Sequence, residues 1–318
     1  MYASPIPMHI PDGFLSVVVS IVLWIVSITA IVIALRQTNK QLGEKQLPLM
    51  GVLAAAIFAG QMLNFSVTGG TSGHLMGAAI ATILLGPWQA MLVMTSVVSI
   101  QALLFQDGGL LVLGANIFNM GVVGVAVAYF VYRAFQQFSK GARWGILTGG
   151  FAAAWLSIFI ASLGVALQLA ISGTSPANIA IPAMGGIHAL IGIGEGLITV
   201  GALSFLLVAR PDLLGTGDSR GKTSIGVWVG GLVITLALAI ISPLASTHPD
   251  GLEWVAEQKG FLDTAREPLF NIIPDYVFPG ISNQALATIV AGVVGSLIVL
   301  GVTLGIAYSR RRATKANQ

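Results

Sequence analysis

Phe14-Leu-Ser-Val-Val-Val-Ser-Ile-Val-Leu-Trp-Ile-Val-Ser-Ile-Thr-Ala-Ile-Val-Ile-Ala-Leu35 runs for 22 residues without a charged side chain. At a rise of about 1.5 Å per residue it makes a helix about 33 Å long, enough to cross the hydrocarbon core of a bilayer. No basic segment precedes it, and it is longer than the apolar region of a cleavable signal peptide, so it reads as a retained span. Further apolar segments follow at 48–66, 74–86, 88–106, 110–132, 145–172, 187–209, 225–243 and 284–308. The piece from His74 to Gly86 is short, and reads as a half-span or a helix broken at Gly86-Pro87.

The whole chain agrees with its first span. Its 318 residues are 55% hydrophobic and 8% charged, with a mean hydropathy of +0.88, whereas soluble domains carry about 25% charged residues. The formal net charge of +3 is too small and scattered for a nucleic-acid surface. With no cysteine, the chain has no disulfides, thiolate metal sites or cysteine nucleophiles. The expected fold is an all-α polytopic membrane protein: a seven-segment helical unit, then a two-helix unit with a large extracytoplasmic loop at 244–283.

Placing the N-terminus outside and alternating puts Arg36, Lys40, Lys45, Arg133, Lys140, Arg143, Arg210, Arg220, Lys222, Arg310, Arg311, Arg312 and Lys315 inside. That is 13 of the 15 basic residues, and the bias predicts an outer N-terminus and a cytoplasmic C-terminus. All four histidines (His9, His74, His188, His248) and most acids then lie at the outer side. An outer face rich in His and Asp/Glu suits capture of a cation, although acids also avoid cytoplasmic loops for their own reasons. A polar, glycine-rich seam at 211–224 separates a unit at 8–210 from one at 225–318, and 1–7 reads as a leader or a misassigned start.

Asn64-Phe-Ser-Val-Thr-Gly-Gly-Thr-Ser-Gly-His74 is unusual between apolar runs, with three glycines and four hydroxyl residues. Irregular backbone near membrane depth is tolerated where it is buried in protein or lines a cavity. The segment reads either as a site loop presenting His74 as a metal ligand or as a plain outer loop with an incidental histidine. In Met8-His9-Ile10-Pro11-Asp12-Gly13, Met8 can be read as the initiator, which makes His9 the second residue. A free α-amine, the deprotonated amide of residue two and its imidazole Nδ1 then close fused chelate rings with three coplanar nitrogens. His74 can complete the square, and square-planar nitrogen donors select Ni(II) or Cu(II). With Met1 as the start, His9 is an ordinary residue.

His188 and Glu195 are seven apart on one helical face. A carboxylate inside a span is a functional hypothesis by default, though Glu195 can also tie helices together. Asn116 and Asn119 are three apart and read as donors orienting a ligand histidine or as interhelical bonds; Asn64 and Ser72 are further candidates beside His74. The stretch from Gly215 to Thr223 imitates a phosphate loop but has Thr216 where glycine is required and no preceding strand. ATP hydrolysis is therefore not expected of this chain. Pro249-Asp250-Gly251 is a turn signal ahead of a short amphipathic helix at 252–258.

These stretches, with Leu-Leu-Gly-Pro-Trp (84–88), Asp-Gly-Gly-Leu…Gly-Ala-Asn (107–116) and His188 to Thr199, resemble the CbiM/NikM family. Those proteins are substrate-binding membrane subunits of energy-coupling factor importers for cobalt and nickel. The likeness covers 8–210, and the Pro-Asp-Gly-Leu-Glu unit with its two helices resembles the NikN or PDGLE companion subunit. The resemblance implies a seven-helix binding unit in a prokaryotic inner membrane and a transported Ni2+ (or Co2+) with no prosthetic group. It also implies a transmembrane coupling subunit and separate cytoplasmic ATPase subunits as partners. Family ligands fall on the Met8 amine, the His9 amide and imidazole, and the His74 imidazole; residues Met1 to Pro7 depart from the pattern because they would block that amine. Four-nitrogen square-planar binding points to nickel before cobalt. The rival expectation is a stand-alone porter or channel with His188 and Glu195 as a proton relay.

Overall fold

The computed structural model describes residues 8–41, 46–216 and 224–316. The expected leader at 1–7 and most of the expected linker, 217–223, lie outside the described residues. Helix α1 (Val17–Gln41) follows from the first apolar run, and its exposed Val17, Val18, Ile21, Val22 and Ile25 form a lipid-facing stripe.

Among the described residues, seven helices are long and apolar enough to cross a membrane. Two of the nine expected segments are shorter. Helix α2 (Gln46–Gln61) is apolar all round and almost wholly buried, as a core helix must be. Helix α3 is only Ala78–Leu85. It meets α4 (Pro87–Ile100) at Gly86, where Pro87 starts the new helix with a fixed φ and no wasted N–H. A wide π turn at Gln101–Phe105 then carries α4 into the corner at Gln106 and Asp107.

Helix α5 (Leu113–Asn116) passes through a second π segment, Ile117–Val123, into α6 (Gly124–Ser139), so 113–139 is one span. Helices α7 (Arg143–Ser172) and α8 (Ala177–Ala209) form an antiparallel pair. The segment expected at 187–209 thus begins ten residues early, at Ala177. Pro182 does not stop it, because a proline one turn into a helix forgoes a single backbone hydrogen bond. Helix α9 (Ser224–Ile241) and α11 (Gln284–Ala316) hold α2 between them, while α10 (Gly251–Lys259) lies in the loop that joins them.

The loop after α2 decides where the site sits. Phe65–Val67 (β1) and Thr71–Gly73 (β2) form a small antiparallel hairpin, turned at Gly69 and Gly70 with φ of 93° and 81°. The chain then runs without regular structure to Gly77, whose φ of 80° turns it into the next helix. Glu195, near the middle of α8, accepts hydrogen bonds from the backbone N–H groups of Met76 (2.7 Å) and Gly77 (3.0 Å). The loop therefore descends into the bundle, and α3 is a half-helix that starts there. At such depth water cannot satisfy the free N–H groups of a helix start, and a carboxylate does so with favourable charge.

Candidate metal centre

The N-terminal segment is pinned from both sides before the first helix begins. The Asp12 carboxylate accepts three successive backbone N–H groups, from Leu110 (3.1 Å), Leu111 (2.9 Å) and Val112 (3.2 Å). Asn116 pairs with Ile10 like a strand partner: its Oδ1 accepts from Ile10 N (3.0 Å) and its Nδ2 donates to Ile10 O (3.1 Å). The chains run so close that a Cβ on Gly109 would lie 2.2 Å from the Asp12 amide nitrogen. These contacts drive His9 inward, where it is 4% exposed.

His9 and His74 meet edge to face with ring centroids 5.4 Å apart. Both line a cavity of about 80 Å³ with Met8, Met76, His188 and Asp250. Each imidazole has its Nδ1 set against a backbone carbonyl: His74 on Leu75 at 3.0 Å, His188 on Met184 at 2.8 Å, His9 on Asp107 at 3.4 Å. A carbonyl can only accept, so in His74 and His188 the proton sits on Nδ1 and the Nε2 lone pair is left for a ligand, the usual device for orienting metal-binding imidazoles. The longer His9 contact holds Nδ1 weakly, so a shift of tautomer frees it to chelate. His9 Nε2 is buried with no hydrogen-bond partner among the described residues. Burial also lowers the His9 pKa, against the opposing pull of Asp107, so this imidazole is neutral at pH 7. Among the described residues no three His, Asp or Glu side chains converge into a ready-made cluster.

The C-terminal unit completes the cavity, with Asp250 and Leu252 in its lining. Ser72 N–H donates to Pro249 O at 2.8 Å and Ser72 Oγ to His248 O at 2.8 Å, adding the 248–250 segment to β2 as a short parallel bridge. Asp250 caps α10 through Oδ1, which accepts from Gly251 N at 2.6 Å. Its Oδ2 lies 3.8 Å from His74 Nε2. Burial pushes the Asp250 carboxyl up to about 6, with His74 pulling the other way, and it still carries most of its negative charge at pH 7. Gly251 has no room for a side chain, since a Cβ would meet Ile191 at 2.6 Å and the His188 ring at 3.1 Å.

The other candidates fall in different places. Asn119 lines the cavity, but its amide is engaged with Gln168 on α7 in a reciprocal pair of 2.9 and 2.8 Å. Ser72 and Asn64 face the C-terminal unit instead, through Ser72 as described and through Ser246 N–H on Asn64 O at 2.8 Å. Glu195 is fully buried and committed to the start of α3. Asp107, Asp250 and Tyr276 did not stand out as site residues in the sequence. Asp107 and Asp250 reach the histidines, and Tyr276 reaches Asp107, from far along the chain, so no local spacing could have found them.

The arrangement offers lone-pair nitrogens and one carboxylate in a small buried space, the chemistry of a borderline divalent cation. Comparison with known proteins agrees. Residues 9–213 match the family described as "Cobalt uptake substrate-specific transmembrane region", and residues 226–312 match the PDGLE domain. The putative fused nickel transport protein NikMN of Archaeoglobus fulgidus is 37% identical over 96% of this chain and all of its own length. The fused nickel transport protein NikMN of Rhodobacter capsulatus is 29% identical over the same shares. A crystal structure of a truncated transition metal transporter is 34% identical, with a TM-score of 0.56 over 63% of this chain and 98% of its own. With its histidine-lined cavity and this extent of likeness, the chain belongs to the CbiM family of cobalt uptake substrate-specific membrane proteins and carries a PDGLE domain behind it.

Proposed function

We propose that this chain is the substrate-capture component of an ATP-driven energy-coupling factor importer for nickel ions, with cobalt the second choice. The observation that carries the reading is the buried pair His9 and His74, edge to face at 5.4 Å in a cavity near the N-terminal end of the bundle. The ion binds as substrate to the amide and imidazole of His9, the imidazole of His74 and, where it is a free amine, the nitrogen of Met8. Four nitrogens in a square favour Ni(II). Two relatives matched along their whole length are named as nickel transport proteins, which supports the same choice. The N-terminus lies outside, the C-terminus lies in the cytoplasm, and the units at 8–210 and 225–318 act as one binding body. A coupling membrane subunit and cytoplasmic ATPases supply the energy.

In vesicles, nickel uptake should require ATP and both partner subunits, while the chain alone binds nickel without moving it. Uptake by the chain alone that collapses with a proton uncoupler would instead establish the porter reading. That reading has less support, because Glu195 already serves two backbone donors and His188 Nδ1 faces the Met184 carbonyl.

Asp250 brings negative charge to the cavity, and its neutral analogue isolates that role. In Asp250→Asn the amide oxygen still caps Gly251, so the fold should persist with an unchanged thermal midpoint. Nickel affinity should fall about tenfold, the lower end of what partners next to metal ligands contribute. Isothermal titration with nickel checks this, and unaltered affinity would remove Asp250 from the site.

A further inference from the structure

The Asp107 carboxylate touches both nitrogens by which His9 would chelate an ion. Its Oδ1 lies 3.1 Å from the His9 backbone nitrogen, which donates to it, and 3.4 Å from His9 Nδ1. One oxygen within reach of both nitrogens holds them on the same side of the residue. A six-membered chelate ring through the amide nitrogen and Nδ1 needs that conformer, and the free side chain would otherwise spend much of its time in others.

The other oxygen is held from the C-terminal unit. Tyr276 donates its hydroxyl to Asp107 Oδ2 at 2.6 Å. Its ring stacks on Phe105 at 4.9 Å and leans on Phe58 at 6.1 Å, so the phenol cannot swing away. The backbone that delivers it is unusual: Asp275 and Tyr276, neither of them glycine, stand in the left-handed region with φ of 56° and 57°. Two such residues in succession are costly and persist only where the surroundings hold them. Neighbouring bonds brace the same corner, with Ile273 N–H on Leu104 O at 2.9 Å.

We infer that Tyr276 is a positioning residue for metal capture: by fixing Asp107 it presets the chelating conformer of His9. The inference rests on the nickel-site reading above. It makes the PDGLE domain a working part of the site at the His9 end, separate from the contact of Asp250 with His74. Orientation supplied in advance lowers the ordering cost of binding and shows as affinity.

The test titrates Ni(II) alone into the purified chain beginning at Met8, reading affinity, stoichiometry and the visible absorption of the bound ion. Tyr276→Phe keeps the ring on Phe105 and removes only the hydroxyl. It should bind one nickel about tenfold more weakly, with the absorption band unshifted, as expected for loss of an outer partner. Asp107→Asn should weaken binding at least as much, since it removes the charge that draws both His9 nitrogens to one side. The double variant should be no weaker than Asp107→Asn alone, because the hydroxyl acts through Asp107; a purely structural loss would add instead. Wild-type affinity in Tyr276→Phe, or full additivity in the double variant, overturns the inference. Should the phenylalanine variant not fold, Asp107→Asn alone decides, and unchanged affinity there overturns it too. His74→Ala is the control for the underlying reading: if it binds nickel like wild type the site itself is wrong, whatever Tyr276 does.

Discussion

His74→Ala is expected to abolish high-affinity nickel binding, lowering affinity by more than a hundredfold. Partners that merely orient metal ligands account for about ten- to hundredfold, so removal of a ligand must exceed that. The substitution leaves the fold intact, because the His74 ring does little structural work: its Nδ1 contact goes to the neighbouring Leu75 carbonyl, and its other nitrogen faces Asp250 across 3.8 Å. Titration of nickel into the purified variant, with the thermal midpoint as a check on folding, gives the answer. A matching loss in His9→Ala and a smaller one in His188→Ala would separate the chelating pair from the third imidazole. Binding that survives both His9→Ala and His74→Ala would move the site elsewhere.

The second large effect belongs to Glu195, which lies outside the proposed ligand set. Glu195→Ala leaves the N–H groups of Met76 and Gly77 without acceptors inside the bundle. Each buried donor left unpaired costs about 1–3 kcal/mol, so the pair should cost about 2–6 kcal/mol of stability. The start of α3 should loosen, and His74 lies only two residues before Met76. Glu195→Gln is milder, since its oxygen still serves one donor while its NH2 opposes the other; nickel binding should largely persist. Thermal unfolding of both variants with and without nickel checks the order. If Glu195→Ala is as stable as the parent and binds nickel normally, Glu195 does not hold this loop; if Glu195→Gln alone abolishes binding, it contacts the ion.

What could be read from the sequence follows from range. The spans were legible because a 22-residue uncharged run needs no partner to be recognised. His9 and His74 stood out as candidates because their segments are locally odd, and the fold brings their rings together. The short α3 was half legible: its length was plain, but not that it begins inside the bundle, because the carboxylate that makes this possible lies 118 residues beyond Gly77. The start of α8 was placed ten residues late, beyond Pro182, which one turn into the helix forgoes only a single hydrogen bond. The Pro-Asp-Gly turn and its helix were legible, but their position over the cavity was not. Ser72 meets His248 across 176 residues and Tyr276 meets Asp107 across 169, and periodicity carries nothing over such distances.

The two Pro-Asp-Gly stretches show the same limit more sharply. Asp12 gathers the N–H groups of 110–112, while Asp250 caps the helix that follows it and turns its other oxygen toward His74. One local motif serves two purposes, and the surroundings decide which.

X-ray absorption at the nickel edge, on the chain beginning at Met8 and loaded with one equivalent of Ni(II), tests the central claim most directly. The expected spectrum is that of a four-coordinate square-planar ion with nitrogen donors only and two imidazoles among them, falling to one imidazole in any nickel still bound by His74→Ala. A six-coordinate ion dominated by oxygen, or a spectrum that His74→Ala leaves unchanged, would contradict it.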